Sequence, residues 1–122
     1  MADQPSILIV DDSPVVVEAV KEALAGDGYT VFTAYDGIEA LDMVKRYEFD
    51  LILLDIDMPR MNGYQVCKLL KNDPKFKRIP IVMLTAKTSE ADRLWGKKAG
   101  SDEYVTKPFN YAKVKEILKR FL

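Results

Sequence analysis

The sequence predicts an α/β domain built on a parallel sheet with helices on both faces. Three observations carry this. Ile7-Leu8-Ile9-Val10, Leu51-Ile52-Leu53-Leu54 and Ile81-Val82-Met83-Leu84 are apolar runs without polar alternation, as expected of strands buried on both sides. Segments with helical periodicity alternate with strand-like segments five times along the chain. The connections are short, which specifies right-handed βαβ crossovers. A chain of 122 residues suits one compact domain and is expected to form one over residues 1–122.

Each element has its own signals. The first apolar run ends at Asp11-Asp12, and Ser13-Pro14 then supplies an N-cap followed by proline at the first helical position. Val16, Val20 and Leu24 recur at helical spacing, with Gly26 and Gly28 closing the helix. Thr30 to Ala34 is β-branched and aromatic and reads as a short strand. Asp36 with Glu39 forms a capping-box pattern, opening a helix to about Tyr47 with Leu41 and Val44 inward. The Leu51 strand runs into Asp55, and Pro59 forbids its continuation as a ladder. Asn62 with Gln65 starts a third helix, which Asn72-Asp73-Pro74 ends. After the Ile81 strand, Ser89 opens a helix that stops at Gly100. Tyr104-Val105-Thr106 is a last short strand, and Asn110 caps a final helix with Val114, Leu118 and Phe121 inward.

Composition removes several kinds of function. A formal net charge of −1 without a block of like charges argues against nucleic acid as an electrostatic partner. No apolar run approaches the ~20 residues of a membrane span, and the first residues lack signal-peptide character. The single cysteine, Cys67, cannot form an internal disulfide, so a cytoplasmic location is expected. The absence of histidine excludes His-based catalysis and leaves oxygen as the ligand for any metal.

The polar residues at the strand ends point to chemistry. Parallel strands bring their carboxyl ends to one rim, where open α/β sheets place ligands. Asp11 and Asp12, Asp55, Thr85 and Lys107 are all delivered there. Carboxylates sharing a crevice repel unless a cation joins them, and an all-oxygen, partly open site suits Mg²⁺, or Mn²⁺ in its place. Lys107 and the Thr85 hydroxyl offer a positive charge and a donor to an oxyanion. Together these groups suit phosphoryl transfer onto Asp55. Nucleotide binding fits less well. Asp11-Asp12-Ser13-Pro14 follows the first strand, where a glycine-rich loop would be needed.

Five segments, ILIVDD, AYDGIEAL, LILLDIDMPRMNG, VMLTA and AGSDEYVTKPF, occur in an order and spacing that resembles the CheY-type response-regulator receiver domain over essentially the whole chain. The resemblance implies a doubly wound flavodoxin/CheY-like fold, with a five-stranded parallel sheet in the order 2-1-3-4-5 flanked by five helices. It implies that Asp55 is the phosphoacceptor, that Asp11, Asp12 and Asp55 bind Mg²⁺, and that the backbone carbonyl of Asp57 completes the protein's share of the shell. Thr85 and Lys107 would contact the phosphoryl group. Tyr104 would change rotamer as Thr85 moves, and the Lys107-Pro108 peptide would be cis. Implied partners are a histidine kinase or phosphotransfer protein and a downstream target docking on the fourth helix, last strand and last helix. The domain would assist only its own phosphorylation and dephosphorylation. Asp57 and Lys87 occupy positions that tune phosphate lifetime in this family.

Other readings fit less of the chain. A receiver cut from a longer regulator with an output domain shares every feature above, and the end after Leu122 fits both readings. A haloacid-dehalogenase-like phosphatase shares the Asp55-x-Asp57 spacing, but Pro59 stands where that family needs Thr or Val. A binding module with an inert phosphosite would not need the full set of site residues. Trp95 beside Gly96 packs on the sheet edge or anchors a partner. Cys67 is expected to be a small packed residue of the third helix.

Overall fold

The structure, a computed structural model, describes residues 4–86, 89–107 and 110–122. Five strands, β1 (Ser6–Val10), β2 (Thr30–Ala34), β3 (Leu51–Leu54), β4 (Ile81–Thr85) and β5 (Glu103–Thr106), alternate with five helices. These are α1 (Pro14–Ala25), α2 (Gly37–Arg46), α3 (Gly63–Lys71), α4 (Glu90–Ala99) and α5 (Tyr111–Phe121). All strand pairs are parallel, in the order β2-β1-β3-β4-β5. Lys87 and Pro108 lie outside the described residues.

The apolar strands work because successive side chains enter different cores. Leu8, Val10, Ile52, Leu54, Ile81 and Met83 pack into the layer containing Ala40, Val66, Cys67 and Ala99. Ile7, Ile9, Leu51, Leu53, Val82 and Leu84 pack into the opposite layer with Val17, Val20, Leu24, Val114, Ile117 and Leu118. Burying each such aliphatic side chain contributes roughly 1.5–3 kcal/mol. No helix among the described residues is long and apolar enough to cross a membrane.

The caps form where their side chains foretell them. Ser13, Asp36, Asn62, Ser89 and Asn110 each accept a hydrogen bond from the backbone three residues on. Asn62 and Gln65 complete a reciprocal capping box. At Asp36 the reciprocal arm shifts by one residue: Glu39 accepts from the Tyr35 N–H. Gly100 ends α4 in the left-handed conformation at φ +100°, which a Cβ would strain.

Several inward faces differ from the simplest reading of periodicity. Val17, not Val16, joins Val20 and Leu24 in the core, leaving Val16 half-buried. Ala40 takes the buried place beside Val44, with Leu41 half-buried at the margin. Ile117 is buried beside Leu118 while Phe121 packs from the edge. Trp95 does not lie on the sheet: it is 60% exposed, and Gly96 faces inward instead. Cys67 is a packed residue of α3, its thiol donating to the Ala99 carbonyl at 3.4 Å and pushed up to about 12 by burial.

Candidate functional site

The site stands at the carboxyl rim of β1, β3, β4 and β5. Val10 pairs with Leu54, and the ladder continues one step past both strands. The Asp11 N–H donates to the Ala34 carbonyl at 3.1 Å, and the Asp55 N–H donates to the Val10 carbonyl at 2.8 Å. Asp11 and Asp55 are thereby fixed side by side as the backbone leaves the sheet. One oxygen from each of Asp11, Asp12 and Asp55 lies within 4.8 Å of the others. Asp11 and Asp55 are buried and Asp12 is exposed, which leaves the cluster open on one side.

Lys107 reaches this cluster from the end of β5. Its Nζ lies 2.6 Å from Asp11 Oδ2 and 3.7 Å from Asp55 Oδ1. Its position follows from β4–β5 pairing. Thr85 is in register with Thr106, and the Lys107 N–H donates to the Thr85 carbonyl at 2.6 Å. Thr85 is fully buried at the end of β4. Among the described residues, the buried polar or charged side chains are Asp11, Asp55 and Thr85, all on this rim.

Local contacts aim the two buried acids. Asp11 Oδ1 accepts from the Ser13 N–H at 3.0 Å, tying the acid to the start of α1. Asp55 Oδ1 accepts from the Ile56 N–H at 2.9 Å. Burial, then the neighbouring Asp11 charge, pushes the Asp55 carboxyl up to about 6, against the pull of Lys107. Asp55 therefore holds its proton more tightly than an ordinary aspartate. A single lysine among three carboxylates leaves net negative charge, so the donor set fits a hard divalent cation such as Mg²⁺.

The β3–α3 connection brings in residues to which the sequence reading gave no role. A Cβ on Gly63 would collide with the Asp55 carbonyl oxygen and approach Ile56 Cα to 2.9 Å, so the start of α3 lies directly against the Asp55 loop. The Gly63 N–H donates to the Ile56 carbonyl at 2.9 Å. Arg60, at φ +68°, pairs with Asp36, the N-cap of α2. The Glu39 N–H, then the Arg60 guanidinium, hold the Asp36 carboxyl below its usual value. Gly63 closes the LILLDIDMPRMNG segment, but apart from that resemblance its signal is a glycine in a first helical turn whose cap is already good. Asp57 is exposed beside the site, and Tyr104 is half-buried in β5.

A cleft of about 640 Å³ lies near the amino ends of β3 and β4, lined by Val44, Tyr47, Phe49, Phe76 and Ile79 among others. None of the convergent acids lines it. Here chemistry and concavity are separate, and the acids with Lys107 make the better candidate site.

Comparisons with known proteins agree with this geometry. Residues 7–119 match the response regulator receiver domain family. The chemotaxis protein CheY4 of Vibrio cholerae is 37% identical over 98% of this chain and 99% of its own, with a TM-score of 0.91. The response regulator TrrA of Thermotoga maritima, solved in complex with Mg²⁺-BeF, is 39% identical over 98% of this chain and 100% of its own, with a TM-score of 0.88. The receiver domain of a signal transduction histidine kinase from Syntrophus aciditrophicus is 35% identical over 97% of this chain and 89% of its own, with a TM-score of 0.92. The chain belongs to the response regulator receiver domain family, the CheY-like signalling module of two-component systems.

Proposed function

We propose that residues 1–122 act as one cytoplasmic receiver domain in which Asp55 accepts a phosphoryl group from a histidine kinase or phosphotransfer partner. An Asp55 carboxylate oxygen forms the new O–P bond while the N–P bond of the donor phosphohistidine breaks. The electron pair leaves on the imidazole nitrogen, which takes up a proton. Asp11, Asp12, Asp55 and the Asp57 carbonyl would hold Mg²⁺, which neutralises charge on the transferring group. Lys107 keeps a positive charge beside Asp55, and the Thr85 hydroxyl donates to a phosphoryl oxygen. The observation that carries this reading is the convergence of three acids from two strand ends with Lys107 Nζ 3.7 Å from Asp55.

Phosphorylation adds a charge of roughly −2 at neutral pH. That charge draws Thr85 and Lys107 inward and biases Tyr104 and the α4–β5–α5 face, where a downstream protein docks. TrrA was solved with Mg²⁺-BeF, and its similarity to this chain supports the choice of cation. The test is incubation with acetyl phosphate and Mg²⁺, followed by intact mass. One phosphoryl group that is labile to acid and base is expected, and Asp55→Asn should take up none. Phosphate on Asp55→Asn, or none on the parent, would overturn the assignment. Steady phosphate release from an unrelated phosphoester would mark the domain as an enzyme instead.

A further inference from the structure

Two arms leave the phosphoacceptor and meet again away from it. One runs from Asp55 through Ile56 to Gly63, which packs on that loop, and so to its chain neighbour Tyr64. The other runs from Lys107, 3.7 Å from Asp55, back along β5 to Tyr104, which is in register with Met83. Tyr64 and Tyr104 are joined by a side-chain hydrogen bond, and Tyr64 Oη also donates to the Asp92 carbonyl of α4 at 3.0 Å. Tyr64 has one proton and gives it to Asp92, so Tyr104 must be the donor between the two hydroxyls. Consistently, burial and then Tyr64 favour the protonated Tyr104 hydroxyl.

The Tyr104 ring is also fitted to α4. A Cβ on Gly96 would come within 3.0 Å of Tyr104 Cδ2, so glycine makes the slot that the ring occupies. The Arg93 guanidinium lies over the same ring, 5.1 Å from its centroid. Tyr104 therefore touches α4 through Gly96 and Arg93, and α3 through Tyr64. Tyr64 stands in the first turn of the helix that starts on the Asp55 loop and also hydrogen-bonds the backbone of α4.

We propose that Tyr64 is a positioning residue that couples the Asp55 site to α4 by accepting from the Tyr104 hydroxyl while donating to the Asp92 carbonyl. The proposal rests on the reading of Asp55 as phosphoacceptor and gives α3 a part in the switch. One hydrogen bond of this kind shifts a two-state equilibrium by about two- to tenfold.

The test uses the whole chain, with beryllofluoride and Mg²⁺ as the probe and amide NMR as the readout. In the parent, Ile56 and the α4 amides from Glu90 to Ala99 should both move. Tyr64→Phe and Tyr104→Phe each remove one hydroxyl of the relay and little volume. Each should change the titration midpoint by the same two- to tenfold factor in the same direction. Both should also displace the α4 amides while leaving Ile56 responsive. The double variant should do no more than either single one. Additive single effects, or a Tyr64→Phe titration superimposed on that of the parent, would overturn the proposal while leaving the phosphoacceptor in place. A parent that never responds would remove the phosphoacceptor reading, and this proposal with it. Unaltered melting of Tyr64→Phe beside an altered midpoint separates coupling from a merely structural role.

Discussion

Replacing Asp55 with asparagine should make the protein more stable at neutral pH, and the gain should disappear in acid. Its carboxyl is raised from an ordinary 3.8 to about 6, first by burial and then by Asp11. At ~1.36 kcal/mol per pH unit, that rise corresponds to about 3 kcal/mol. The native state binds this proton more tightly than the unfolded chain, so stability falls as pH rises through the interval between the two values. Below 3.8 both states are protonated and Asp55 costs nothing; above 6 the native carboxylate is ionised and the cost is complete. Asparagine has no such cost. It keeps the volume and the oxygen that accepts from the Ile56 N–H at 2.9 Å. Urea unfolding in chelator between about pH 4 and about pH 8 measures the difference directly. The advantage of Asp55→Asn should grow from near zero to about 3 kcal/mol and level off near neutrality. A difference that is flat with pH, or that shrinks as pH rises, would refute the assigned cause.

Two further perturbations address the frame around the site. Lys71 Nζ donates to Lys77 O at 3.2 Å, Ile79 O at 2.8 Å and Asp102 Oδ2 at 2.8 Å. Lys71→Met should cost roughly 2–4 kcal/mol in urea unfolding, since two carbonyls lose a donor together and Asp102 loses its cation, keeping the Ile81 N–H. Gly63→Ala should cost at least roughly 1–3 kcal/mol, because its Cβ collides with the Asp55 carbonyl oxygen and meets Ile56 Cα at 2.9 Å. Gly26→Ala is the contrasting control. Its φ is −63° and its nearest neighbour is 3.6 Å away, so it should be neutral or stabilising by up to ~1 kcal/mol in the same assay.

The fold was legible because its central strands obey one rule. β1, β3 and β4 are buried on both faces, so their apolar runs have no polar alternation to confuse them. The helix faces were less legible. Val15-Val16-Val17 offers three consecutive valines, and periodicity alone cannot choose the one at the correct rotation. Elsewhere residue size misled: helices seated close to the sheet bury small residues, so Ala40 and Gly96 face inward beside larger neighbours. Ile38 and Trp95 are left exposed. Which side of a helix touches the sheet depends on the distance between layers, and that is set by residues far away in sequence.

The site was legible for a different reason. Its acids and lysine sit at strand ends, and parallel topology sends those ends to one rim whatever the helices do in detail. The pairings that brace the surrounding loops and helices are non-local and carry no pattern of their own. Arg60 pairs with Asp36 across 24 positions, Lys71 with Asp102 across 31, and Tyr64 with Asp92 across 28. Charged side chains are buried at a cost unless compensated, and a fold selected for stability alone would spread or avoid that cost. Here Asp11 and Asp55 sit side by side, with one lysine to answer them. The repulsion left over is what a divalent cation would relieve, and it adds to burial in pushing the Asp55 carboxyl up to about 6. Electrostatic strain is thus concentrated at one rim, over a core in which, among the described residues, every buried side-chain polar atom has a partner.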